Sequence, residues 1–217
     1  MSRRERDVVL EIAAWLEDKG LTVLHERRLP SRPERGSFTV TGVEQGRRPD
    51  LVVRGRVTRE DRVLPGGFLA VEVKPGYNHR DILDGFDAVL GYFLDYACGA
   101  RYEIDGEKIE ISAIVLVTAF GNKGYLFQAE GKFDPKVVKG PWDAYPMTFT
   151  VARLLWRQRD NIVRRLRETL LLPGRIAGGG IGPLPEVGVM VADPRMPEKI
   201  LLMLSARPYH WYLEPDH

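Results

Sequence analysis

The chain has one cysteine, Cys98, in 217 residues. A lone thiol excludes an internal disulfide and any cysteine-based zinc or iron–sulfur centre, and it fits a reducing, intracellular setting. The four histidines fall at no metal-ligand spacing, and no His-Glu-x-x-His helix, Gly-x-Ser-x-Gly elbow or catalytic-cysteine signature occurs, which argues against a protease or esterase. The glycine run Gly178-Gly179-Gly180-Ile181-Gly182 lacks the Gly-Lys-Ser/Thr ending of a phosphate loop, so nucleotide hydrolysis is not expected. Neither an amino-terminal signal pattern nor an apolar run of bilayer length is found. The expected location is the cytoplasm, without a membrane partner. Internal repeats are also lacking, and the length fits one elaborated domain.

What is present is charge. Lysine and arginine number 32 against 30 aspartates and glutamates, a net of +2. The arginines cluster, and a clustered basic face bears on nucleic-acid binding more than the net value does. Two apolar stretches carry carboxylates. In Arg48-Pro49-Asp50-Leu51-Val52-Val53 an acid heads a strand, and Leu69-Ala70-Val71-Glu72-Val73-Lys74 holds a Glu-x-Lys pair inside one. Side chains alternate along a strand, so Glu72 and Lys74 share a face while Leu69, Val71 and Val73 take the other. Charges on a central strand cost several kcal/mol, roughly the buried-ion penalty, unless paired or metal-bound.

Periodicity orders the surrounding elements. Residues 5–19 read as a helix with Val8, Val9, Ile12, Trp15 and Leu16 on one stripe, ended by Gly20. Residues 21–29 alternate as a first strand, 30–35 read as a loop and 38–43 as a hairpin continuation. Arg54–Asp61 is so charged that it reads as the tip of an exposed hairpin, with Pro65-Gly66-Gly67 as the turn back. After the Pro75-Gly76 break, residues 82–97 regain helical spacing through Leu83, Phe86, Leu90, Phe93 and Leu94. Residues 111–118 form an apolar strand, followed by a turn at 121–124 and a partner strand at 125–129. A helix over 148–172, a Gly-rich loop at 175–185 and a hairpin of 187–192 with 199–205 complete the chain.

Pro49-Asp50 followed by Glu72-Val73-Lys74 resembles the signature of the PD-(D/E)XK nuclease superfamily, over roughly residues 5–120. The layout is similar to archaeal Holliday-junction resolvases and to some restriction or phage endonucleases. The resemblance implies an α/β (α+β) fold: a restriction endonuclease-like αβββαβ core with a central mixed sheet flanked by helices. Residues 1–140 would form that core and 141–217 a C-terminal helix and β-hairpin extension packed on it. It further implies a metal-dependent DNA endonuclease, in which Asp50, Glu72 and the Val73 carbonyl bind Mg2+, with Mn2+ as substitute, oxygen ligands suiting a hard cation. Lys74 would assist the attacking water. An acid from the first helix, Glu11 in preference to Glu5, would join them. A homodimer would supply the two sites that cutting both strands needs.

Other candidates have two readings each. Arg153, Arg157, Arg164 and Arg167 lie on one helical stripe, either a solvated face or a contact to the phosphate backbone. Asn78, His79 and Arg80 follow the Glu-x-Lys strand and either touch nucleic acid or begin the next helix. Tyr209, Trp211 and Tyr212 either stack on bases or pack on the domain. The alternative to a nuclease is a non-catalytic nucleic-acid-binding or assembly protein that keeps the fold.

Overall fold

The structure is a computed structural model and describes residues 3–25, 36–42, 48–74, 79–118, 146–170, 183–193, 196, 198–206 and 210–216. The first amphipathic stripe forms α1 (Arg3–Asp18), which buries Ile12, Ala13 and Leu16 completely. Gly20, at φ 81°, takes the left-handed conformation that stops it. The chain then enters β1 (Thr22–His25) and, later, β3 (Leu51–Arg54) and β6 (Phe68–Lys74). These three pair antiparallel as neighbours, with Leu24 opposite Val52 and Val52 opposite Ala70.

Two crossovers extend the sheet. From β6 the chain runs through α2 (His79–Ala97) to β9 (Ile111–Thr118), parallel to β6, and β9 is followed by α3 (Pro146–Leu170) and β10 (Glu186–Ala192), parallel to β9. Both helices lie on one face, as crossovers of a single hand require. There Val89 and Phe93 of α2 and Val151, Ala152 and Leu155 of α3 cover Ala70, Ile114, Leu116 and Val189. The other face packs Leu69, Val71, Val73 and Val115 against α1. With both faces covered, β9 has no polar alternation to show, which is why it reads as an unbroken apolar run.

β10 pairs antiparallel with β11 (Ile200–Leu204), the expected hairpin, and β11 with β12 (His210–Glu214). β12 then pairs with β4 (Arg56–Arg59), giving the nine-stranded order β1-β3-β6-β9-β10-β11-β12-β4-β5, where β5 is Arg62–Val63. β3 and β4 are separated only by Gly55, yet they stand six places apart in this order. The sheet must therefore curl until its far side returns to Gly55. A Cβ there would sit 2.8 Å from the Glu214 carbonyl oxygen, so this seam requires glycine.

Several expectations change. Arg54–Asp61 is not simply an exposed tip: β4 lies inside the sheet and Val57 is fully buried against Leu213, leaving Glu60, at φ 52°, to turn the hairpin. One apolar residue among arginines is enough when the neighbouring strand supplies the rest of the core. The segment near residue 40 forms β2 (Thr39–Thr41), which pairs with β7 (Arg101–Ile104), while the residues just before it meet β1 in a bridge of Ser37 to His25. With β8 (Glu107–Ile109) these make a separate three-stranded sheet. The β7–β8 hairpin, absent from the sequence reading, turns on Asp105-Gly106, whose φ values of 50° and 82° fit the twist of a two-residue turn. β12, expected only as an aromatic tail, is a strand, and β10 to β12 continue the main sheet instead of packing on it. The strand at 125–129, its turn and residues 26–35 lie outside the described residues. Among the described residues no helix is long and apolar enough to cross a membrane.

Candidate active site

Glu72 and Lys74 lie near the end of β6, on the face that α2 covers. Glu72 is 5 % exposed. Its Oε1 accepts an ion pair from Lys74 Nζ at 2.8 Å. Its Oε2 accepts a hydrogen bond of 2.8 Å from the Tyr92 hydroxyl of α2. The same hydroxyl lies 2.8 Å from the Arg48 carbonyl oxygen. Both oxygens of this buried carboxylate thus have partners, which offsets part of the cost of its burial.

Asp50 precedes β3. Leu51 pairs with Val71, so the register sets Asp50 across from Glu72. Its Oδ2 accepts the Val73 backbone N–H at 2.8 Å, capping a donor just past the last paired residues. Asp50 and Val73 are 23 residues apart in sequence, yet this bond brings the Asp50 carboxylate to the residue next to Glu72. Burial raises the Tyr92 pKa well above that of an ordinary phenol, and the Glu72 charge, the Glu72 hydrogen bond and the Asp50 charge add to it. Tyr92 therefore stays protonated and acts as a donor.

Helix α2 can approach this closely because of Gly85. A Cβ at that position would stand 2.5 Å from Leu116 Cδ1 and 3.0 Å from Lys74 Cγ. Of the expected stripe Phe86, Leu90 and Phe93 pack on the core, while Leu83 and Leu94 are 48 % and 39 % exposed and Gly85, Val89 and Tyr92 are buried in their place. Summed hydrophobicity favours the leucines, but close backbone approach and the hydroxyl's partners favour the Gly–Tyr side. Tyr92 and Gly85, seven residues apart on one helix face, were the signal that sequence reasoning missed.

The other candidates are dispersed. Glu11 is exposed on α1, which packs on the opposite face of the sheet from Glu72; Glu5 lies on the same helix. His79 begins α2, and Asn78 lies outside the described residues. Arg80 is exposed and pairs with Asp84 at 3.8 Å. Arg153, Arg157, Arg164 and Arg167 are all exposed on α3. Arg153 lies over the Phe149 ring at 5.9 Å, and Arg164 donates to Asn161 at 3.3 Å. Between them Arg159 turns inward, to Glu186 Oε1 and the Pro185 carbonyl, both at 3.2 Å, and stacks over Phe93. Trp211 is buried, and Tyr212 donates to Asp193 at 2.9 Å, so both pack on the sheet; Tyr209 lies outside the described residues.

Among the described residues no group of three or more His, Cys, Asp or Glu side chains is arranged to hold a metal. The carboxylates at this end of β6 are those of Asp50 and Glu72, the latter engaged by Lys74 and Tyr92. Carboxylate oxygens are the donors that Mg2+ or Mn2+ take, one or two at a time with several waters kept, whereas zinc favours nitrogen and sulfur ligands.

Fold and site together describe a mixed α+β protein whose large mixed sheet carries a buried acid–lysine–tyrosine cluster against one helix. Compared with models of protein families, with curated proteins and with solved structures, the chain matches none.

Proposed function

We propose that the protein is a metal-dependent DNA endonuclease with a restriction endonuclease-like core. The observation that carries this reading is the hydrogen bond of the Asp50 carboxylate to the Val73 N–H, between Glu72 and Lys74, with the β3–β6 register that brings Asp50 to this end of β6. With β2, β4, β5, β7 and β8 set aside as insertions, the order α1, β1, β3, β6, α2, β9, three antiparallel strands and then a parallel one, supports it as an αβββαβ core.

Asp50, Glu72 and the Val73 carbonyl would hold the cation. A bound Mg2+ would supply a polarised water and neutralise phosphate charge. Lys74, now paired with Glu72, would offer its ammonium to the attacking water or to the phosphate oxygens, where charge grows in the transition state. Tyr92 holds Glu72 in place throughout. The exposed arginines Arg153, Arg157 and Arg164 of α3, with Arg80 and His79 at the start of α2, would contact the DNA backbone, whose recognition is chiefly electrostatic. A homodimer would place two sites on a duplex.

One observation favours the second reading, a nucleic-acid-binding protein that keeps the fold without turnover. Both Glu72 oxygens are engaged by protein groups, and a carboxylate satisfied internally does not need a metal. Cleavage separates the two. Labelled single-stranded, duplex, flapped and four-way-junction DNA are incubated with Mg2+ or Mn2+ and the wild type, Glu72→Ala or Lys74→Ala protein. Metal-dependent cutting lost in both variants supports the nuclease. Metal-independent binding without cutting, equal in all three proteins, supports the binding protein.

A further inference from the structure

Tyr92 is the residue at this site that neither half of the motif contains. It is 7 % exposed, and its hydroxyl joins the Glu72 side chain of β6 to the backbone ahead of β3, two regions also linked by the β3–β6 ladder and the Asp50–Val73 hydrogen bond. A phenol has one proton to donate and here two acceptors, Glu72 Oε2 and the Arg48 carbonyl, each at 2.8 Å.

We infer that Tyr92 is a positioning residue that presents Glu72 to a divalent cation. This rests on the metal-dependent reading above. With Oε2 held by Tyr92, the Glu72 carboxylate cannot swing about its long side chain, and the oxygen that meets Lys74 is the one whose partner can be exchanged. Presentation of one fixed carboxylate saves the rotamer entropy that a free glutamate loses on binding. The second acceptor matters equally. When a cation withdraws electron density from Glu72, the hydroxyl weakens its hydrogen bond there and strengthens the one to Arg48 O, so the buried donor is never left unsatisfied. Because Arg48 and Asp50 are two residues apart, that exchange also steadies the backbone that carries the second acid. Gly85 sets the distance, since it brings α2 near enough for the phenol to reach.

The test compares wild type, Tyr92→Phe and Tyr102→Phe. Tyr102 is a second buried tyrosine, near enough to Tyr92 to act on its charge, whose other neighbours include Asp95, Tyr96 and Phe38 and not the site acids. Its variant therefore reports what loss of any buried hydroxyl does. Mn2+ binding is measured directly by the electron paramagnetic resonance signal of free Mn2+, and the metal concentration for half-maximal DNA cleavage is measured beside it. The expected result is Mn2+ binding roughly ten-fold weaker in Tyr92→Phe, the lower end for loss of an outer-shell partner. Half-maximal metal for cleavage should rise by the same factor, the rate at saturating metal should change little, and Tyr102→Phe should bind as wild type does. Unchanged Mn2+ affinity in Tyr92→Phe overturns the inference and leaves the nuclease standing. Equal weakening in both variants also overturns it, because the effect is then on the fold. A wild type that neither binds Mn2+ nor cuts DNA overturns the nuclease reading and this inference with it.

Discussion

At the scale of single residues, the cost of each buried charge depends on its nearest partner. Glu72 and Lys74 have side chains 7 % and 15 % exposed and meet at 2.8 Å. Removing one leaves the other charge without its main partner, whereas replacing both with apolar residues removes the desolvation penalty along with the attraction. Glu72→Leu should therefore lower the unfolding free energy by about 3 kcal/mol, and Glu72→Leu with Lys74→Met should recover most of it. Urea denaturation of the four proteins of this cycle measures it, and a double variant no better than Glu72→Leu would show that packing, not charge, sets the loss. The tyrosines give a pH dependence of definite sign. Tyr92 and Tyr102 have pKa values raised chiefly by burial, so in the folded state both remain protonated above the usual phenol value. The unfolded chain loses those protons from about pH 10. Their contribution is thus complete below about pH 10 and falls above it, by up to ~1.4 kcal/mol per pH unit for each tyrosine. Unfolding free energies at pH 9 to 11 should show a steeper alkaline loss in wild type than in Tyr92→Phe or Tyr102→Phe.

At the scale of elements, α2 and α3 have opposite tasks. α2 is pressed on the sheet, and Gly85 sets its distance. Alanine there would gain up to about 1 kcal/mol in helix propensity. It would also drive a methyl group into Leu116, which is 1 % exposed, and against the Lys74 stem, at a cost of about 1–3 kcal/mol for overpacking. A net loss of stability is expected, with a larger loss of cleavage because Lys74 is displaced; a stabilised, fully active Gly85→Ala protein would show that α2 yields freely. α3 instead presents arginines to solvent. Arg153→Glu and Arg157→Glu should leave stability within about 0.5 kcal/mol, and each should flatten the salt dependence of DNA affinity by about one unit of log–log slope. Titration of fluorescent DNA at several salt concentrations gives that slope, and no change would make this stripe an ordinary solvated face. These elements also mark what was legible in sequence. Repeating apolar residues located α1, α2, α3, β6, β9, β10 and β11, and the acids on β6 and before β3 were visible from strand alternation. Orientation was not: Leu83 and Leu94 outweigh Gly85 and Tyr92 by hydrophobicity, and only the Glu72 carboxylate under the helix reverses the choice. Glu11 is a similar case, since spacing placed it near the apolar stripe but said nothing of which sheet face α1 would cover.

At the scale of the whole molecule, the sheet's return to Gly55 decides which parts fold together. A division at residue 140 looked natural because the apolar strand β9 ends before it and a long helix follows. Strand pairing unites the two sides. β9 pairs with β10 through Ala113, Ile114, Val115 and Leu116, and β4 pairs with β12 through Val57 opposite Leu213. A chain ending at residue 140 would expose the β9 edge and leave Val57 without Leu213. It would also strip Val151, Ala152 and Leu155 from the face that holds Ala70 and Leu116. Each such side chain contributes about 1.5–3 kcal/mol when fully buried, apart from the smaller alanine, so several together are comparable with the roughly 5–15 kcal/mol by which domains are stable. The shortened chain should show neither a cooperative urea transition nor a near-ultraviolet dichroism signal. The full chain should unfold in one transition that coincides by Trp211 fluorescence, isolated by replacing the other tryptophans, and by backbone dichroism. Two separated transitions would mean that the C-terminal strands are an independent layer, and that the site residues on β3 and β6 are built without them.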